Sequence, residues 1–162
     1  MTKTLLLSVV AAAGLLLAGA GHAAPSTGAM IAEVQAALDK GDAQHAANLA
    51  GAALRDEGVA AGQRGRLQLY RGLAQELLGA PAEAMRDFTQ ALDTRALPPD
   101  ERAQALLQRG FLRDGLGRLD EAAADYAAVI ALRGDGVATA LNNRANIYRR
   151  QNRLADARRD YL

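Results

Sequence analysis

Small, turn-forming and aromatic residues recur along the chain at fixed distances from one another. A small residue is followed by a turn former after seven positions, an Ala after five more, an aromatic after four more and a small or aliphatic residue after three more. This spacing predicts a helical hairpin, in which the turn former ends a first helix and the Ala and the aromatic share one face of a second helix. Four copies follow the pattern: Val34, Gly41, Ala46, Ala50 and Ala53; Gly72, Gly79, Ala84, Phe88 and Ala91; Gly110, Gly117, Ala122, Tyr126 and Val129; Ala145, Asn152, Ala157 and Tyr161.

The predicted copies span about residues 27–60, 65–98, 103–136 and 138–162. The small residue of each first helix is expected to face the Ala of the second, since two helix axes approach to about 8 Å only where the side chains at the crossing are small. The aromatic then fills the remaining space. The copies end at polar, Gly-rich or Pro-rich breaks, namely residues 58–65, 96–100 and 133–136. The markers of the second and third copies lie 38 residues apart, which predicts long second helices or long loops.

This pattern resembles the tetratricopeptide repeat family over roughly residues 29–162. The resemblance implies an all-α fold, a right-handed superhelical α-solenoid of stacked hairpins. It also implies that the first helices line a concave groove that binds a peptide or protein segment. The first copy has Ala50 where the aromatic belongs and is expected to be a cap or an imperfect repeat.

A second regularity supports the same register. An Arg precedes the small residue and an Asp precedes the aromatic in the last three copies, always sixteen residues apart. Since a hairpin brings these positions together, we predict three structural ion pairs with two hydrogen bonds each. The first copy has Glu33 and Leu49 at these positions and should lack the pair. The predicted pairs are Arg71 with Asp87, Arg109 with Asp125, and Arg144 with Asp160.

The first-helix positions that the hairpin core does not use are the candidate partner-binding positions. An Asn side chain both donates and accepts hydrogen bonds, so three Asn on one helix face suit the backbone of an extended peptide. The predicted partner-binding residues are Tyr70, Gln104, Gln108, Asn142, Asn143, Asn146, Arg149 and Arg150. The same faces carry Leu69, Leu73, Glu76, Leu107, Asp114 and Phe111, the last of which is expected to lie in the core between hairpins.

Charge divides the chain into two halves. Residues 24–100 carry seven basic and ten acidic side chains, whereas residues 101–162 carry eleven and eight. The basic excess favours an acidic protein segment as the partner, with anionic lipid head groups as an alternative. The arginines come without a set of aromatic side chains for base stacking, which argues against nucleic acid. The basic excess is concentrated in Arg144, Arg149, Arg150, Arg153, Arg158 and Arg159.

The N-terminus is typical of an export signal. Lys3 precedes an apolar stretch, residues 5–18, that is shorter than the roughly 20 residues of a transmembrane span. Small residues follow and predict cleavage after Ala23, which leaves residues 24–162 as a periplasmic or secreted domain; a retained membrane anchor is the alternative. The absence of Cys from the sequence excludes a lipidated cysteine, a disulfide scaffold and a zinc-thiolate site.

Candidate chemistry is sparse. His45 has no triad-like partners and is expected at the surface, and Gly58, Gly62 and Gly65 are interpreted as loop residues without a phosphate-binding motif. The sequence therefore predicts a non-enzymatic adaptor or scaffold with no cofactor and no metal. The alternative is a regulatory part of a larger envelope complex or enzyme whose active region lies beyond residue 162. Because the fourth copy ends at Leu162, self-association through that end is a third expectation.

Overall fold

The computed structural model describes residues 26–162. Within these residues the chain forms eight α-helices and no strand, which confirms the all-α class. The predicted export signal, residues 1–23, lies outside the described residues. The helices are α1 (Thr27–Asp39), α2 (Ala43–Ala53), α3 (Ala61–Leu77), α4 (Pro81–Asp93), α5 (Pro99–Gly115), α6 (Leu119–Leu132), α7 (Val137–Arg150) and α8 (Leu154–Tyr161).

Consecutive helices pack against each other along the whole described chain. The strongest packing joins α3 to α4 and α5 to α6, so these pairs form hairpins. Contacts also link α1 to α3 and α3 to α5, which places the first helices of successive hairpins side by side. Gly41, Gly79, Gly117 and Asn152 have φ values of 77°, 73°, 73° and 58°, so the predicted left-handed turn residues are confirmed.

The hairpin crossings are too close for a side chain on the first helix. A Cβ added to Gly72 would lie 2.7 Å from Cε1 of Phe88, and one added to Gly110 would lie 2.9 Å from Cε1 of Tyr126. Both aromatic rings are fully buried. Each glycine therefore makes room for the aromatic ring of the second helix, and the core runs through the crossings from hairpin to hairpin.

The length of the repeat comes from the first helices. Gly72 and Gly110 are each the twelfth residue of a 17-residue helix, α3 and α5, whereas Ala145 is the ninth residue of α7. The second helices α4 and α6 have 13 and 14 residues. The expectation of long second helices or long loops is therefore wrong, because an additional turn at the start of α3 and α5 supplies the residues.

The interpretation of Gly62 and Gly65 as loop residues is also wrong, because both lie in α3. A Cβ on Gly65 would lie 2.8 Å from Oγ1 of Thr94 and 3.1 Å from Cδ2 of Leu97. The helix thus uses these glycines to approach the connection between α4 and α5 closely, which outweighs the low helix propensity of Gly.

Candidate partner-binding surface

A depression of about 630 Å³ lies along the first helices of the hairpins. Its walls come from α1, α3 and α5 and from the loop that precedes α7. We call this depression the first-helix groove. It is lined by Gln35, Leu38, Asp39, Arg66, Tyr70, Leu73, Asp100, Glu101, Ala103, Gln104, Leu107, Asp135 and Gly136.

Leucines supply the apolar part of the first-helix groove. Leu38, Leu73 and Leu107 come from three different helices, and each is half-buried and packs on the hydrophobic core. Gln35 and Gln104 add exposed carboxamides to the lining. Apolar surface with a few polar groups at its edge is the composition that ligand-binding clefts usually have.

Two smaller depressions continue the first-helix groove. One of about 370 Å³ shares Leu38 and Leu73 with it and adds Glu76 and Gln108. Burial raises the pKa of Glu76 above the usual range of a glutamate. The other depression, of about 270 Å³, shares Gln104 and Leu107 and is also lined by Gln108, Phe111, Thr139 and Asn143. Together the three depressions follow α1, α3, α5 and the first half of α7.

The predicted partner-binding residues divide between the first-helix groove and the outer surface. Gln104, Gln108 and Asn143 line the three depressions. Asn142 and Arg149 are exposed and lie outside these depressions. Tyr70 also lines the first-helix groove, so the structure brings four of the eight predicted residues to one continuous surface and leaves the other four elsewhere on α7.

The two remaining α7 positions have partners within the chain. The side chain of Asn146 accepts a hydrogen bond of 2.8 Å from the hydroxyl of Tyr161. The guanidinium of Arg150 forms an ion pair with Asp114 of α5, which joins the third hairpin to the fourth. Both side chains hold helices together, so less of each is free for another protein.

Tyr70 lies in the wall of the first-helix groove and is 6% exposed. Its hydroxyl donates to Oε1 of Glu101 over 3.1 Å, and Nε of Arg66 donates to the same oxygen over 2.7 Å. Burial raises the pKa of Tyr70, so the hydroxyl keeps its proton and remains a donor. Tyr70 thus positions a groove carboxylate and offers little surface of its own.

Two of the apolar expectations for this face need correction. Leu69 is fully buried between helices, because α3 packs on both α2 and α4 and has only a narrow free stripe. Phe111, expected in the core, is 59% exposed. It lines the depression of about 270 Å³ and, on its other side, a more apolar depression of about 490 Å³ together with Met85, Leu112 and Leu116.

The Arg and Asp residues that recur sixteen positions apart lie in contact. Nε and Nη2 of Arg71 donate to the two oxygens of Asp87 over 2.7 and 2.6 Å. Arg109 donates to Asp125 over 3.0 and 2.7 Å. These hydrogen bonds and the low exposure of Asp87 and Asp125 make the pairs part of the hairpin interior, away from the first-helix groove.

The fourth hairpin repeats this geometry, since Arg144 donates to both oxygens of Asp160 over 2.7 Å. The third hairpin adds a further cation, because Nη1 of Arg113 lies 2.5 Å from Asp125. The side chain of Gln75 occupies the matching position in the second hairpin, and its oxygen is buried without a hydrogen-bond partner among the described residues. Asp125 of the third hairpin is thus paired with two arginines, whereas Asp87 of the second hairpin is paired with one.

Ion pairs also occupy most of the arginines in the basic half. Arg153 and Arg159 both contact Asp156, in addition to the pairs that Arg144 and Arg150 form. Within residues 26–162, four arginines of this half have no carboxylate within ion-pair distance, namely Arg102, Arg133, Arg149 and Arg158. The net charge of this half is unchanged by pairing, but most of its guanidinium groups are already engaged by carboxylates of the chain.

Sequence reasoning missed the acidic side chains of the first-helix groove. Asp39 and Asp135 come from the first and third predicted copies, whereas Asp100 and Glu101 fall between the second and third; all but Asp39 lie at or beside predicted breaks. The available signal was their placement at the ends of first helices: Asp39 ends α1, Asp100 and Glu101 lie in the first turn of α5, and Asp135 lies just before α7.

Other kinds of site receive little support from the described residues. His45 is exposed on α2. No group of three or more Asp, Glu or His side chains within residues 26–162 is placed to hold a metal ion. None of the eight helices combines the length and the apolar character that crossing a membrane requires.

Comparison of the chain with protein-family models finds no match, and comparison with curated proteins finds none either.

Proposed function

We propose that this protein is a non-catalytic interaction module, an adaptor or scaffold that binds a peptide or protein segment in the first-helix groove. The observation that carries this proposal is the groove itself, which is lined by three successive first helices and continues onto α7. A segment laid along it would contact every hairpin of the described chain.

The proposal includes a tetratricopeptide-like, right-handed superhelical solenoid. The side-by-side placement of α1, α3 and α5, the left-handed turn residues and the repeated crossings support this architecture. We also propose a periplasmic location, which the apolar stretch at residues 5–18 and the small residues before Ala24 support.

The apolar part of the groove makes peptide binding plausible in energetic terms. Leu38, Leu73 and Leu107 are held in place by the core, so little side-chain entropy is lost when a partner covers them. The glutamines beside them can pair with the backbone of an extended segment. We expect a dissociation constant in the micromolar range, which corresponds to a binding free energy of about −8 kcal/mol.

The test begins with protein prepared from the full chain and recovered from the bacterial periplasmic fraction, with Ala24 as the expected N-terminus. A library of random peptides displayed on phage is selected against this protein. The selected peptides should lose about five- to thirtyfold in affinity when Leu73 or Leu107 is replaced by Gln, since each change removes roughly 1–2 kcal/mol of apolar contact.

Leu116→Gln is the control for loss of a leucine from the surface, because Leu116 is 67% exposed and lines the depression beside Met85, which neither Leu73 nor Leu107 lines. Peptides that bind Leu73→Gln and Leu107→Gln as tightly as the unchanged protein would refute the proposal. Loss of binding in Leu116→Gln alone would move the binding surface to that other depression. Helical circular dichroism spectra and thermal unfolding verify that the variants fold.

A further inference from the structure

The charged side chains of the first-helix groove are predominantly acidic. Four carboxylates line it, namely those of Asp39, Asp100, Glu101 and Asp135, against the single guanidinium of Arg66. Arg66 is paired with Glu101. The other three carboxylates are exposed, and none has a cationic side chain within ion-pair distance among residues 26–162.

Two carboxylates along the groove also have shielded oxygens without a hydrogen-bond donor. Oε1 of Glu101 accepts from Arg66 and Tyr70, whereas Oε2 is buried and accepts from no group among the described residues. Oε2 of Glu76, in the adjoining depression, is buried and unpaired in the same way. A buried carboxylate oxygen without a donor is unfavourable, so each glutamate would gain by turning this oxygen toward a donor that a ligand brings.

The carboxylates are spread along the groove and alternate with apolar surface. Leu38 precedes Asp39 on α1, and Leu73 lies one turn before Glu76 on α3. Since no three acidic side chains of the described chain converge on one point as metal ligands, the arrangement suits several separate cationic groups better than one metal ion. Long basic side chains have the matching build, with an alkyl stem that covers apolar surface and a charged end that donates hydrogen bonds.

From these observations we infer that the occupant of the first-helix groove is a basic, extended protein segment. Its Arg or Lys stems lie on Leu38, Leu73 and Leu107, and their charged ends reach the groove carboxylates. This inference rests on the proposed function and specifies the partner. It differs from the acidic partner that the arginine-rich half suggested, because most of those arginines are already paired within the chain.

The experiment compares three fluorescent peptides of equal length, in which Leu alternates with Arg, with Gln or with Glu. Fluorescence anisotropy with the full-length protein, at low and at physiological salt, gives the three dissociation constants. The Arg peptide is expected to bind roughly tenfold more tightly than the Gln peptide, and the Glu peptide more weakly than either. The preference for Arg should decrease as salt screens the exposed carboxylates.

The variant that tests the site combines Asp39→Asn, Asp100→Asn and Asp135→Asn, and it should lose most of the preference for the Arg peptide over the Gln peptide. The matched control combines Glu33→Gln, Glu57→Gln and Asp93→Asn, which removes the same charge from exposed positions outside the three depressions. The control should keep the preference for Arg, which separates a local site from an effect of total charge.

The outcomes distinguish this inference from the proposed function. Equal binding of the three peptides that still depends on Leu73 would overturn the basic partner and leave the groove function standing. Tighter binding of the Glu peptide would overturn it in favour of an acidic partner. Failure of all three peptides and of the phage library to bind would refute the groove function, and the basic partner with it.

Discussion

The first and second hairpins differ in which helix carries the larger side chain at the helix crossing. In the second hairpin, Gly72 on the first helix leaves room for Phe88 on the second. In the first hairpin the corresponding residues are Val34 and Ala50, and both are fully buried. The larger residue thus lies on the second helix in one hairpin and on the first helix in the other. A helix crossing therefore needs a large side chain on one of its two helices, and either helix can supply it.

The ion pair occurs in the hairpins that have the aromatic residue. The second hairpin has Arg71 and Asp87 directly before its glycine and phenylalanine, whereas the first has Glu33, which is exposed, and Leu49, which is half-buried. The first hairpin thus forms without this pair. The pair is one way to fill the space beside the crossing. The free energy of unfolding that is lost when its Arg is removed depends on how deeply the remaining Asp carboxylate is buried.

Among the variants that test this comparison, Arg71→Ala should lower the free energy of unfolding the most. Asp87 is only 3% exposed at its side chain and would lose both of its hydrogen bonds. Because the Arg71 side chain is 27% exposed and water can partly replace it, we expect a loss near the lower end for a broken buried pair, about 3 kcal/mol in the free energy of unfolding. Urea denaturation followed by circular dichroism measures this loss.

Two further variants sharpen that measurement. Arg109→Ala should lower the free energy of unfolding by clearly less than Arg71→Ala does, because Arg113 still pairs with Asp125. Arg71→Glu combined with Asp87→Leu copies the first hairpin, and it should be more stable than Arg71→Ala because it removes the buried carboxylate. Equal losses for Arg71→Ala and Arg109→Ala would show that Arg113 does not compensate.

Replacing Gly72 with Ala should give the next largest effect. The added Cβ would overlap the Phe88 ring, and overpacking of this kind costs about 1–3 kcal/mol. Gly115→Ala, at the end of α5, is the matched control, because its Cβ would meet no atom within 4 Å. The control should stabilise the protein by up to about 1 kcal/mol, so thermal unfolding should shift in opposite directions for the two variants.

Replacing Tyr126 with Phe, the residue of the second hairpin, should have the smallest effect, and that effect should depend on pH. Burial raises the pKa of Tyr126 to about 12. An unfolded tyrosine loses its proton near pH 10, so between about pH 10 and 12 the unfolded state binds fewer protons and stability falls as pH rises. Tyr126→Phe removes this contribution, and its advantage in unfolding free energy should grow above pH 10; parallel stability curves from pH 8 to 11 would contradict the assignment.

The sequence predicts the fold well where the contacts are local. The turn residues and the hairpin markers lie at short, fixed separations, so Gly72 and Phe88 reveal their contact by spacing alone. The same is true of Arg71 and Asp87. The helical extension around Gly65 escaped prediction, because its cause is a close approach to Thr94 and Leu97, about thirty residues away.

The candidate site was harder to predict, because it joins residues from different hairpins. Arg66 and Glu101 are 35 residues apart and have no counterpart pair in the other copies, so the repeat pattern does not predict their contact. The pairing of Arg150 with Asp114 is likewise a contact between hairpins. Sequence reasoning placed Gln104 and Gln108 on the groove face, since one helix determines that face, but it could not assign the charge of a surface assembled from three helices.

The packing of each helix on its neighbours in the chain also has a kinetic consequence. Structure of this kind closes only short loops as it forms, which favours fast folding that can begin in any hairpin and spread outward. It also permits one end to fray while the middle stays folded. A segment that spans α1, α3 and α5 would couple these local unfolding events, so its arrival would make the chain open as one cooperative unit.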